Sequence, residues 1–125
     1  FIEEPEAHLY PFAQKDMIAL ICYLHNQYRN HIFITTHSPY ILATVNDHIY
    51  AGKLGLVKPK NIANIVPASQ WVDPHSADGY LVEHGVIENI FDVEMSMFKT
   101  EVLDRVSAEI NTTYDQLMEW DDAAK

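Results

Sequence analysis

Phe1-Ile2-Glu3-Glu4-Pro5-Glu6, read together with His31-Ile32-Phe33-Ile34-Thr35-Thr36-His37-Ser38-Pro39, decides the fold of this chain. The first stretch reads as an apolar strand whose last residues are acids. The second is β-branched and aromatic, reads as a strand over 31–36, and delivers His37 at its end. About one helix's worth of sequence lies between them, so the unit is βαβ. Strands joined this way run parallel, and the crossover is right-handed in nearly all known cases. Both strand ends then emerge on one carboxyl edge, where open α/β folds place their ligands. Glu3, Glu4 and His37 therefore meet at a candidate reaction centre.

Outward from that unit, Pro11 is suited to open a helix, because its missing N–H costs nothing in the first turn. Met17, Leu20, Ile21, Leu24 and Tyr28 recur at three- and four-residue spacing and predict one buried face. Asn30 closes that segment. Ser38 is a candidate N-cap for a short helix carrying Tyr40, Ile41, Leu42 and Val45. Asn46-Asp47 reads as a turn and Ile49-Tyr50-Ala51 as a short strand. Residues 52–77, punctuated by Gly52, Gly55, Pro59, Pro67 and Pro74, read as an irregular connector with one strand near Asn64–Val66. Tyr80-Leu81-Val82, His84-Gly85 and Val86–Ile90 predict a hairpin with a tight turn. From Phe98 a helix is expected, with Phe98, Val102, Val106, Ile110, Tyr114 and Leu117 on one apolar face, and Trp120–Lys125 as a frayed tail. The organisation expected is one incomplete domain: 1–51 core, 52–97 connector and hairpin, 98–125 amphipathic helix and tail.

The 125 residues suffice for one domain or part of one, and 48% hydrophobic content supports a core. A net charge of −10 argues against broad, sequence-independent nucleic-acid binding by this segment, since phosphate contacts need clustered Lys and Arg. The single cysteine, Cys22, excludes an intrachain disulfide and favours a reducing compartment, so a cytoplasmic location is expected. No apolar run approaches a membrane span and no signal peptide is evident. The chain begins at Phe1 on what reads as a core strand, and is expected to be the C-terminal part of a longer polypeptide.

Successive residues on a strand point to opposite sides, so Glu3 and Glu4 need not share one task. One can face a metal while the other faces a substrate water, a division suited to phosphoryl transfer around Mg²⁺. His37 could donate a hydrogen bond to developing negative charge. The plainer alternative is that acids before proline open a loop or complement a helix dipole. The seven histidines show no H-x₃-H pairing or cysteine partner, and Asp73-Pro74-His75-Ser76-Ala77-Asp78 reads as a polar turn. Asp92, Glu94, Glu101 and Asp104 read as solvated charges, and Trp71 and Trp120 as packing residues.

Phe1-Ile2-Glu3-Glu4-Pro5-Glu6-Ala7-His8-Leu9-Tyr10-Pro11 resembles the Walker B motif and D-loop of ABC-type ATPases, closest to the RecF/OLD/SMC-like group often described as AAA-type. Ile34-Thr35-Thr36-His37-Ser38-Pro39-Tyr40-Ile41-Leu42 resembles that group's switch-histidine loop. The resemblance covers about the first third of the chain and implies an α/β fold. It would be the C-terminal lobe of a P-loop NTPase, with parallel core strands, flanking helices and a small C-terminal hairpin plus helix. It implies that Glu3 holds Mg²⁺ through water, that Glu4 polarises the attacking water, and that His37 contacts the γ-phosphate of ATP. Glu6, Ala7 and His8 would lie in the D-loop at the interface of an ATP-sandwiched homodimer; a locally packed loop histidine is an equal reading of His8. DNA or an effector protein would be the further partner, in a bacterial setting of DNA repair, chromosome handling or anti-phage defence.

Neither G-x-x-x-x-G-K-[ST] nor an LSGGQ-like signature occurs, and both precede Walker B in that family. The segment by itself is therefore expected to be inactive, the hydrolytic half of a site whose phosphate-cradling half lies elsewhere. Two other readings stand beside the ATPase: an inert interaction module that retains the fold, and a metal-dependent hydrolase using Glu3, Glu4 and His37 as ligands.

Overall fold

The computed structural model describes residues 1–123, with the side chains at positions 100, 102, 103, 106 and 107 outside the description. β1 (Ile2–Glu3) pairs in parallel with β2 (Ile34–Thr35), Ile2 opposite Ile34 and Glu3 opposite Thr35. Between them runs α1 (Pro11–Tyr28), with Pro11 in the first turn and Arg29 closing it in the left-handed conformation. The strand expected over 31–36 shortens to two residues. The Ile2 N–H donates to the Phe33 carbonyl and the Glu4 N–H to that of Thr35, each at 2.8 Å.

α2 (Pro39–Gly55) is longer than expected. Ser38 caps it, its hydroxyl accepting from the Ile41 N–H at 3.4 Å. The turn expected at Asn46-Asp47 and the strand at Ile49–Ala51 are both helix. Ile41, Val45 and Ile49 recur every four residues on its inner face, and Ile41 and Ile49 are fully enclosed. Asn46 is polar for a tertiary reason: its Oδ1 accepts from the Phe98 N–H at 2.7 Å, and its Nδ2 donates to the Phe98 carbonyl at 3.4 Å.

No strand forms at Asn64–Val66. α3 (Pro59–Ala63) stands just before, and the N–H groups of Ile65 and Val66 both turn back to the Ile62 carbonyl. Single 3₁₀ turns follow at Ala68–Gln70 and Pro74–Ser76. The second is the polar turn expected there, with Asp73 accepting from the His75 N–H at 2.9 Å. The connector is anchored through side chains. Asn26 donates to the carbonyls of Ser69 and Trp71, and the Trp71 indole donates to Val66 at 2.8 Å.

The hairpin forms around the expected turn, β3 (Tyr80–Glu83) against β4 (Val86–Asn89). His84 and Gly85 both take positive φ (51° and 75°), the requirement of a two-residue turn that matches strand twist. Phe98 belongs not to the last helix but to β6 (Met97–Phe98), antiparallel to β5 (Phe91–Asp92), where its ring meets Phe91 edge-on at 5.4 Å. α4 (Thr100–Ala123) starts after it and carries the tail expected to fray into the helix as far as Ala123; residues 124–125 lie outside the described residues.

The described residues hold three two-stranded sheets, one parallel and two antiparallel. The interior forms two apolar clusters. Ile18, Ile21, Cys22 and Ile41 make the first, and Ile49, Ile90, Phe91 and Phe98 the second. Val45 and Val72 touch both, which joins residues 1–51 to the connector through shared packing. The buried face of α1 runs through Gln14, Ile18, Ile21 and Cys22, about one position away from the stripe predicted, leaving Leu20 and Tyr28 exposed. On α4, Ile110, Tyr114 and Leu117 face solvent, while Val102 and Val106 have side chains outside the described residues. Trp71 packs as expected, but Trp120 is 78% exposed.

Candidate functional site

The carboxyl edge of the β1–β2 pair gathers two loops. After Glu3 the backbone turns sharply, with Glu4 at φ 46° and His8 at φ 61°. A non-glycine residue held there carries on the order of 1–3 kcal/mol of strain, and such outliers cluster at functional sites. Two successive turns close this loop, the Ala7 N–H donating to the Glu4 carbonyl and the Leu9 N–H to that of Glu6, both at 2.9 Å. The facing loop, Thr36–Ser38, leaves β2 and enters α2.

The two loops meet side chain to side chain. His37 Nε2 lies 3.5 Å from Glu4 Oε1, with the two side chains 89% and 55% exposed. Such an exposed contact is worth little to stability, and its interest is chemical. Glu3, also exposed, precedes Glu4 as the last residue of β1. Glu6 is more enclosed, and its Oε1 accepts from the His37 backbone N–H at 2.8 Å. Its Oε2 is buried without a hydrogen-bond partner. Burial works to raise the Glu6 pKa. The hydrogen bonds from the His37 N–H and its own N–H, the Thr36 hydroxyl nearby and the His37 charge outweigh that, and the carboxyl sits below its ordinary value of 4.5. The Thr36 hydroxyl assists without meeting hydrogen-bond geometry at Oε2. Ala7 and His8 are exposed at the tip.

Gln14 completes the frame, and sequence reading missed it. Only 7% exposed, it donates from Nε2 to the Leu9 carbonyl at 3.0 Å and accepts from the Ser38 hydroxyl at 2.5 Å. One buried amide thus ties α1 to both loops. A signal was present: Gln14 stands four residues before Ile18 on the stripe that packs inward, and a polar residue there must find partners.

Chemically, the edge offers an exposed carboxylate beside an imidazole and a second carboxylate one residue away. Among the described residues, no three His, Cys, Asp or Glu side chains are arranged to enclose a metal ion. No helix among the described residues is long and apolar enough to cross a membrane.

No curated protein and no solved structure matches the chain. Residues 1–42, which contain both loops, match the family model of the AAA ATPase domain. In that stretch the chain is similar to an AAA-type ATPase, a likeness that supports an ATPase-related function and Mg-ATP as the ligand to consider.

Proposed function

We propose that this chain carries the hydrolytic half of an ATP-hydrolysing site of the ABC type, in the RecF/OLD/SMC-like branch. The observation that supports it most is the 3.5 Å approach of His37 to Glu4 at the carboxyl edge of a parallel strand pair. In this reading Glu3 is the Walker B acid, holding Mg²⁺ through water. Glu4 accepts a hydrogen bond from the attacking water, aligns it with the γ-phosphorus and draws off its proton as the new O–P bond forms and the bond to the β-phosphate oxygen breaks, with ADP as the leaving group. His37 donates from its ring to a γ-phosphate oxygen, where negative charge gathers. Bound Mg²⁺ would neutralise charge on the phosphate oxygens. In this reading Glu6, Ala7 and His8 form the D-loop turn, and the exposed Ala7 and His8 contact a second ATPase head. ATP would draw two heads together and hydrolysis would release them, coupled to DNA repair, chromosome handling or anti-phage defence.

The test is Mg²⁺-dependent ATP hydrolysis by the full-length protein and its Glu4→Gln variant. Glu4→Gln is expected to bind ATP within about threefold of wild type while kcat falls at least roughly 100-fold, the usual range for a general base. Wild-type turnover in Glu4→Gln would remove Glu4 from this role.

A further inference from the structure

We propose that Glu6 is a positioning residue for turnover, its carboxylate holding the His37 backbone amide and thereby setting the imidazole against Glu4. The inference rests on the roles of Glu4 and His37 given above.

The strand ladder cannot do this work. Its last bond at this edge runs from the Glu4 N–H to the Thr35 carbonyl at 2.8 Å, and β2 ends there. Two residues further on, the His37 amide is beyond the sheet, and Glu6 Oε1 takes it at 2.8 Å across 31 positions of sequence. Packing cannot hold the imidazole either, since the side chain is 89% exposed. What orients it is the backbone from which it springs. Glu4 and Glu6 lie on one turn, closed by the 2.9 Å bond between the Ala7 N–H and the Glu4 carbonyl. A carboxylate on that turn gripping the His37 amide therefore also sets the separation between the imidazole and Glu4. The burial of Oε2 fits the same assignment, because the carboxylate is drawn in against the His37 loop rather than left in water. A charge-assisted bond of this kind is stronger and shorter than a neutral one.

The full-length protein tests this through kcat and KM for Mg-ATP in Glu6→Leu, Glu6→Gln and Glu6→Asp, each alone and with His37→Ala, and with Glu4→Gln as reference. Glu6→Leu is expected to lower kcat on the order of 10- to 100-fold with KM within about threefold, since misplacing a reacting group by about an ångström has that cost. Glu6→Gln retains an acceptor oxygen and should stay within about fivefold of wild type. Glu6→Asp is one methylene too short to reach the amide and should resemble Leu. Added to His37→Ala, none of the three should lower kcat further, because the group being positioned is gone. Wild-type kcat in Glu6→Leu, or an undiminished loss in the His37→Ala background, would overturn the proposal. Should Glu6→Leu not fold, equal activity of Asp and Gln overturns it, and loss in Asp alone supports it. Full activity in Glu4→Gln would instead show that the underlying reading had failed.

Discussion

At the scale of single residues, burial separates the reactive from the inert. Cys22 is enclosed in α1, where loss of water pushes its thiol up to about 11 and leaves it a packing group. His48, 5% exposed, offers a testable consequence. Its Nδ1 lies 3.0 Å from the Gln70 carbonyl, which calls for the N–H on that nitrogen. Burial depresses its pKa below the ordinary 6.5, and this outweighs the Gln70 bond and the Asp47 charge, both favouring the cation; Lys15 adds slightly to the depression. The sign follows from linkage. Below pH 6.5 the unfolded chain binds a proton that the folded chain refuses, so stability falls as pH drops through that window until the folded-state pKa is passed. Urea unfolding from pH 7.5 to 5.0 is expected to show a decline that His48→Gln makes shallower. Identical pH slopes in the two proteins would contradict this.

At the scale of elements, hydrogen bonds between segments decide boundaries that local pattern left open. α2 runs through Asn46-Asp47 because Asn46 spends its amide on Phe98, 52 residues away, rather than on a local turn. Asn46→Leu would leave the buried Phe98 N–H without an acceptor. The expected loss is about 1–3 kcal/mol of unfolding free energy, read from the shift of the urea midpoint. A shift below about 0.5 kcal/mol would place this bond among the dispensable ones. The hairpin was legible for the opposite reason. Its register is set by neighbours in sequence, and the dipeptide His84-Gly85 states the turn directly.

At the scale of the whole molecule, the chain is knitted by an irregular connector pressed onto helices. The Val72 N–H donates to the His48 carbonyl at 3.1 Å, and a Cβ on Gly52 would stand 2.0 Å from the Val72 carbonyl oxygen. A Cβ on Gly55 would meet the Trp71 ring at 2.4 Å. These two glycines, read in the sequence as punctuation, are surfaces of close approach inside a helix. Gly52→Ala must push the connector away from α2 and is expected to destabilise the fold by about 1–3 kcal/mol, despite the gain in helix propensity. A raised thermal midpoint in Gly52→Ala would show that the connector yields freely. Apolar surface also remains open, with Phe1 and Phe33 stacked at 5.2 Å yet both exposed, and with the outer face of α4.

By itself the sequence determined the two strands of the βαβ unit, the starts of α1 and α2 at Pro11 and Ser38, the hairpin, and the candidates Glu3, Glu4 and His37. Each of these rests on interactions within a few residues or on a period repeated along one element. Only the tertiary structure decided where the strands stop, which stripe of α1 turns inward, that α2 persists to Gly55, and that Glu6 and Gln14 bind the two loops together. Those outcomes depend mostly on partners tens of residues away, whose hydrogen bonds and contacts override local propensity, and only Gln14's place on the inward stripe of α1 signalled one of them.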